Sequence, residues 1–106
     1  MNEIITLNEI QNDGRYIHLY YNGLVGLYAA YGYSAYNLCK EMALDNVSYS
    51  HNLLMPVVAI NTMHLEELVG RLTVTSSNNG YYCLKVDNPL DENEYSEWAN
   101  RIIEEV

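Results

Sequence analysis

RYIHLYYNGLVGLYAA, residues 15–30, decides the fold class. Ile17, Leu19 and Tyr21 fall on one side of an extended chain and Tyr16, His18 and Tyr20 on the other, the period of two expected of a strand. Asn22-Gly23 follows, the pair that best tolerates positive φ in a two-residue hairpin. The segment LVGLYAA, 24–30, is therefore expected to return antiparallel. Gly26 inside it weakens a strand for no packing gain, which predicts a bulge or a second backbone passing close by.

Working outward from that hairpin, EIITLNEI (3–10) reads as a strand or a single helical turn closed by Asn12-Asp13-Gly14. On the C-terminal side, Ala35, Leu38, Cys39 and Met42 recur at helical spacing, so a helix is expected over 35–44 with Ser34 as its cap. NVSYSHN (46–52) is a polar loop or an edge strand, and LLMPVVAIN (53–61) reads as a central strand starting near Pro56. Asn61 or Thr62 caps a short helix that buries Leu65, Leu68 and Val69 and ends at Gly70. A second hairpin is expected from strands 71–76 and 80–86 around Asn79-Gly80. Asp91 with Glu94 marks the start of a last helix, whose apolar stripe is Tyr95, Trp98, Ala99, Ile102, Ile103 and Val106. The sum is an α/β (α+β) single domain over residues 1–106, with a mixed β-sheet of five to six strands, two hairpins and three helices packed on it.

The balance of charge excludes several functions. Fourteen acids face five bases, a formal charge of −9, and the bases Arg15, Lys40, Arg71, Lys85 and Arg101 are scattered singly. No basic stripe is present to neutralise a run of phosphates, and the overall field repels polyanions. Half of the acids lie in residues 87–106, against Arg101 alone. No apolar run approaches the roughly 20 residues that a bilayer span needs, and no cationic, apolar, cleavable start is visible, so a soluble cytoplasmic protein with no membrane association is expected.

No reaction centre can be assembled from spacing. Cys39 and Cys83 form no CxxC pair and have no cationic neighbour in sequence, which reads as two reduced, buried thiols. His18, His51 and His64 lack a second ligand at metal spacing, except for Glu67 three residues after His64, which reads as a solvated helix face. No phosphate-binding glycine loop ending in Gly-Lys-Ser/Thr is present. No enzyme activity, metal or cofactor is expected.

What remains is tyrosine, eleven of them, with no phenylalanine. Tyrosine packs its ring while keeping its hydroxyl wet, so these residues finish a thin core or form an aromatic contact face. The candidate face comprises Tyr16, His18 and Tyr20 on the first strand together with Val25, Leu27, Tyr28 and Tyr31.

IHLYYNGLVGLYAAYGYSAYNL (17–38), MPVVAINTMHLEELVGRL (55–72) and YYCLKVDNP (81–89), in that order and spacing, resemble the N-terminal mismatch-recognition domain of MutS-family DNA repair proteins. In that family a G-D-F-Y-E-L-F hairpin, an IPMAGIPYHA-like strand running into a helix and a CEQVEDP-like turn follow one another. The resemblance implies the family's fold and places its base-wedging phenylalanine at Val25, its glutamate at Leu27 and its aspartate at Leu24. Valine offers no ring to stack and leucine no acceptor, so the resemblance implies the scaffold of a reader without its reading residues. The expected function is a stand-alone, non-catalytic binding module for a protein partner or a second copy of itself. The alternatives are a divergent nucleic-acid binder that stacks bases on tyrosine, or an acidic mimic of DNA.

Overall fold

The computed structural model describes residues 2–105. Helix α1 (Asn2–Gln11) precedes strands β1 (Tyr16–Asn22) and β2 (Leu27–Tyr31). Then come helix α2 (Gly32–Met42), strands β3 (Ser48–Ser50) and β4 (Met55–Ile60), and helix α3 (Thr62–Arg71). Strands β5 (Thr73–Asn78) and β6 (Tyr81–Lys85) and helix α4 (Glu92–Glu105) complete the chain.

The α+β class and the two expected hairpins are present, and the six strands form one sheet in the order β3-β4-β2-β1-β6-β5. Three details differ from the sequence reading. Four helices surround the sheet rather than three, because residues 2–11 form a ten-residue helix rather than a strand or a single helical turn. The sheet is antiparallel throughout rather than mixed. Its two strand–helix–strand crossovers, β2-α2-β3 and β4-α3-β5, join strands of like direction, but other strands lie between them and no parallel pair touches. β4 is correspondingly not at the sheet's centre: only the three-residue edge strand β3 lies beyond it, and its side chains alternate between buried and half-buried.

The first turn also differs. Asn22 pairs with Leu27, so residues 23–26 form a four-residue loop in place of a two-residue turn. The amides of Val25 and Gly26 donate to the Asn22 carbonyl at 3.3 and 2.9 Å, and Gly26 rather than Gly23 adopts the left-handed φ of +69°. Glycine takes that conformation without a Cβ clash, which explains its place here without a bulge. The second turn follows expectation: Asn79 and Gly80 have φ of 46° and 82°, and a Cβ on Gly80 would sit 2.9 Å from that of Tyr21.

Alternation along the strands gives the sheet two faces of different chemistry. Ile17, Leu19, Ala30, Val58, Ile60 and Leu84 share one, and Leu38, Leu65 and Leu68 from α2 and α3 close over it as a single aliphatic core. Asn61 caps α3 by accepting the His64 amide at 2.9 Å, and α3 runs one residue past Gly70. Val69, expected inside, is 39% exposed. Trp98 of α4 packs on the margin of this core, with Asp91 accepting the Asn93 and Glu94 amides at the start of that helix. Ile103 is exposed and Val106 lies outside the described residues.

Candidate functional site

The second face of the sheet carries a cluster of aromatic side chains. Tyr16, His18 and Tyr20 of β1 share it with Tyr31 of β2 and Tyr81 of β6, since Tyr20 pairs with both Ala29 and Tyr81. Tyr20 lies 5.4 Å from Tyr81 and 6.2 Å from Tyr31 between ring centroids, and the His18 Nδ1 and Tyr81 hydroxyl are 2.7 Å apart. Four of the seven expected contact residues therefore meet. The other three do not join them as a patch: Tyr28 turns to the opposite face beside Tyr21 and Tyr82, Leu27 is half-buried at the start of β2, and Val25 is exposed in the loop. Tyr81 belongs with the group and was not singled out from sequence, because only strand register shows it opposite Tyr20.

This face is not open. Helix α1 lies across it, burying Ile5 and donating from Asn8 Nδ2 to the Tyr20 hydroxyl at 2.8 Å. His18 and Tyr20 are buried as a result. Burial holds the His18 imidazole below its ordinary value and pushes the Tyr20 phenol up to about 12, so both are neutral near pH 7.

Sequence and structure together make α1 inside-out. Ile5, Asn8 and Glu9 turn inward, whereas Ile4, Leu7 and Ile10 recur every three residues on the outer side and are 56, 53 and 75% exposed. Beside that ridge the turn before β4 contributes Leu53, and the next residue of that turn, the exposed Leu54, is held at a left-handed φ of 57° that a branched side chain rarely adopts. Between helix and turn runs a groove of about 370 Å³ lined by Thr6, Glu9, Ile10, Tyr33, Leu53 and Met55 among others. A ridge of three aliphatic side chains on the surface of a small domain is the kind of patch that marks an interaction site.

Beneath the helix is a knot of buried polar groups. β2 ends at Tyr31 and leaves the first half of β1 without a neighbouring strand on that side, so side chains complete its backbone bonding. Ser34 Oγ accepts the His18 amide at 2.9 Å, and Asn12 and Asn37 donate to the Tyr16 carbonyl. Ser34 was expected to cap α2, but Tyr31 holds the cap position and makes no side-chain cap bond. Glu9 does that work from the neighbouring helix: Oε1 accepts the Ser34 amide at 3.0 Å and Oε2 accepts the Ser34 hydroxyl at 2.7 Å. The Glu9 residue is 6% exposed, and burial, only partly offset by these bonds, raises its carboxyl from 4.5 to about 7. Ionising it in place costs on the order of 3 kcal/mol. Burying Ile5, the one aliphatic side chain that α1 buries among the described residues, returns about 1.5–3 kcal/mol. Ile5 therefore offsets only about what ionising Glu9 would cost.

Among the described residues, no group of three or more His, Cys, Asp or Glu side chains stands ready to hold a metal ion, and no helix is long and apolar enough to cross a membrane. No family model, curated protein or solved structure matches the chain.

Proposed function

We propose that this chain is a non-catalytic binding module whose outer α1 face docks a cationic, amphipathic segment of a protein partner. The observation that carries the reading is the inverted helix: Ile4, Leu7 and Ile10 face solvent while Asn8 and Glu9 are turned to the protein. In water that arrangement leaves aliphatic area uncovered, and an apolar stripe on a partner would cover it. Charge selects the partner's polar side. The chain carries −9, and of its few cations Arg15 lies 3.6 Å from Asp13, Arg71 donates to the Glu41 carbonyl and Lys40 sits over the Tyr36 ring. A second acidic copy would be repelled, and a basic segment attracted. The β1–β2 tip, where the MutS-like resemblance would place duplex contacts, exposes Leu24 and Val25 and supports a protein partner over nucleic acid.

The test is titration of the protein with a synthetic 18-residue Leu/Lys peptide that forms one apolar face, beside a scrambled peptide of equal composition. Tight binding of the first alone, weakened about tenfold by Leu7→Gln, is the expected result. Equal binding of both peptides, or indifference to Leu7→Gln and Ile10→Gln, overturns the reading. A dimer in light scattering that loses its interface in the same variants gives the face to a second copy instead.

A further inference from the structure

We propose that α1 is a protonation-gated strap over the tyrosine face, with Glu9 as its clasp: the helix lies closed while Glu9 is a neutral acid and loosens when Glu9 ionises. The geometry is the basis. Glu9 is the one carboxyl that α1 buries among the described residues, and although Ser34 and Asn12 bond to its oxygens, no cation among the described residues pairs with it to neutralise its charge. The 2.7 Å contact with the Ser34 hydroxyl is one a neutral Glu9 can make as the donor. The titratable groups turned toward it from the elements around are Tyr20 of β1, Tyr33 of α2, Tyr81 of β6 and Tyr95 of α4, and the His18 ring lies beyond, against the Tyr81 hydroxyl. Burial keeps those four phenols above their ordinary range and His18 below its own, so none supplies a charge to balance a Glu9 carboxylate near neutral pH.

The direction follows from the two states of the helix. Below the ordinary carboxyl value of 4.5, Glu9 is neutral whether α1 is seated or released, and seating carries no charge penalty. Between 4.5 and about 7 the released helix ionises first, so seating weakens as pH rises, and above about 7 the full penalty stands. His18 acts in the opposite sense, since covering it favours the neutral ring and its protonation at lower pH opposes the closed state. The two groups oppose each other between 4.5 and 6.5, and above 6.5, where His18 is neutral in both states, only the Glu9 penalty grows, so closure is tighter in mildly acidic than in alkaline solution.

Cys83 reports the strap. It lines the cleft under α1 with Asn8 and Asn12, whereas Cys39 lies in the aliphatic core beneath α2 and reports global opening instead. The experiment is N-ethylmaleimide labelling of the whole chain with mass-spectrometric readout at each cysteine, normalised to N-acetylcysteine at each pH. Wild-type Cys83 is expected to label several-fold faster at pH 8 than at pH 6 on that scale, short of the roughly tenfold that Glu9 alone would give because His18 works against it, with Cys39 slow throughout and Glu9→Gln flat or sloping the other way. Ile5→Ala speeds Cys83 labelling at every pH if α1 guards it. Equal pH slopes in wild type and Glu9→Gln overturn the proposal, as does a Glu9 ¹³C carboxyl resonance that titrates near 4.5 in the wild-type protein, a readout that does not depend on any variant folding. None of these measurements contains a partner, so their outcome is separate from that of the peptide titration.

Discussion

The two faces of one sheet are both covered, yet they are built from different materials. On the α2–α3 side, Ile17, Leu19, Ile60 and Leu84 meet Leu38 and Leu68 in one aliphatic cluster. On the α1 side, the alternate residues of the same β1 strand, His18 and Tyr20, meet one isoleucine, two asparagines and a glutamate. Aliphatic contact is non-directional and insensitive to pH, so it gives cohesion. Hydrogen bonds to buried phenols and a buried carboxyl are directional and depend on protonation, so they give a cover with one seating and a small net hold. A single strand can alternate between the two because side chains on a pleat point to opposite sides.

The largest expected effect lies on the cohesive face. Leu38 is fully buried between α2 and β1, and Leu38→Ala removes its contacts and leaves a cavity that the surrounding strands cannot collapse to fill. A loss of about 3–4 kcal/mol in urea unfolding, with both faces melting together, is the expected outcome. A loss below about 1 kcal/mol, or loosening of α1 alone, would mean that the core is not where the cohesion resides.

How much of this contrast could be seen in the sequence depends on which interactions set each part. The Asn79-Gly80 hairpin and the inward faces of α2 and α3 were legible because local φ preference and helical spacing alone specify them. Beyond the two hairpins, the antiparallel character of the whole sheet was not, since it follows from β4 inserting beside β2, an arrangement that depends on reach across the sheet rather than on any residue pattern. Helix α1 was missed for a related reason. Ten residues make a marginal helix by themselves, and its regular Ile4, Leu7, Ile10 stripe points away from the protein, so the usual amphipathic test assigns the wrong side as buried. What seats α1 is the contact of Glu9 with Ser34, twenty-five residues away, for which neither residue type is a signal. The tyrosine face was half legible: period two grouped Tyr16, His18 and Tyr20, while Tyr81 required the β1–β6 register and the helix above them was unforeseen.

A smaller effect is expected from the α1 face. Ile5→Ala removes the buried aliphatic anchor of the strap but leaves the core on the other side of the sheet intact. Global stability should fall by about 1–2 kcal/mol, below the usual range for a core leucine because α1 can shift to close the gap. Amide exchange supplies the sharper reading: protection should drop at Ser34 and His18, whose N–H groups end in the Glu9–Ser34 knot, and stay high at Leu19 and Leu84. Uniform loss of protection across both faces would erase the distinction between cohesive core and detachable cover.

The smallest effect belongs to the outer side of the same helix, and it separates a folding role from a docking role. Leu7 is 53% exposed and contributes to the groove beside Leu53 without entering the core cluster. Glutamine keeps the chain length and nearly the helix propensity of leucine while removing its apolar character, so Leu7→Gln should change stability by less than about 0.5 kcal/mol. A residue needed for folding would show the reverse order, with a cost like that of Ile5→Ala. If Leu7→Gln is neutral in urea unfolding and still weakens the amphipathic peptide, the aliphatic ridge is an adhesive surface rather than misplaced core. If it destabilises the free protein by more than 1 kcal/mol, the ridge already has an intramolecular partner and the contrast between the two sides of α1 is lost.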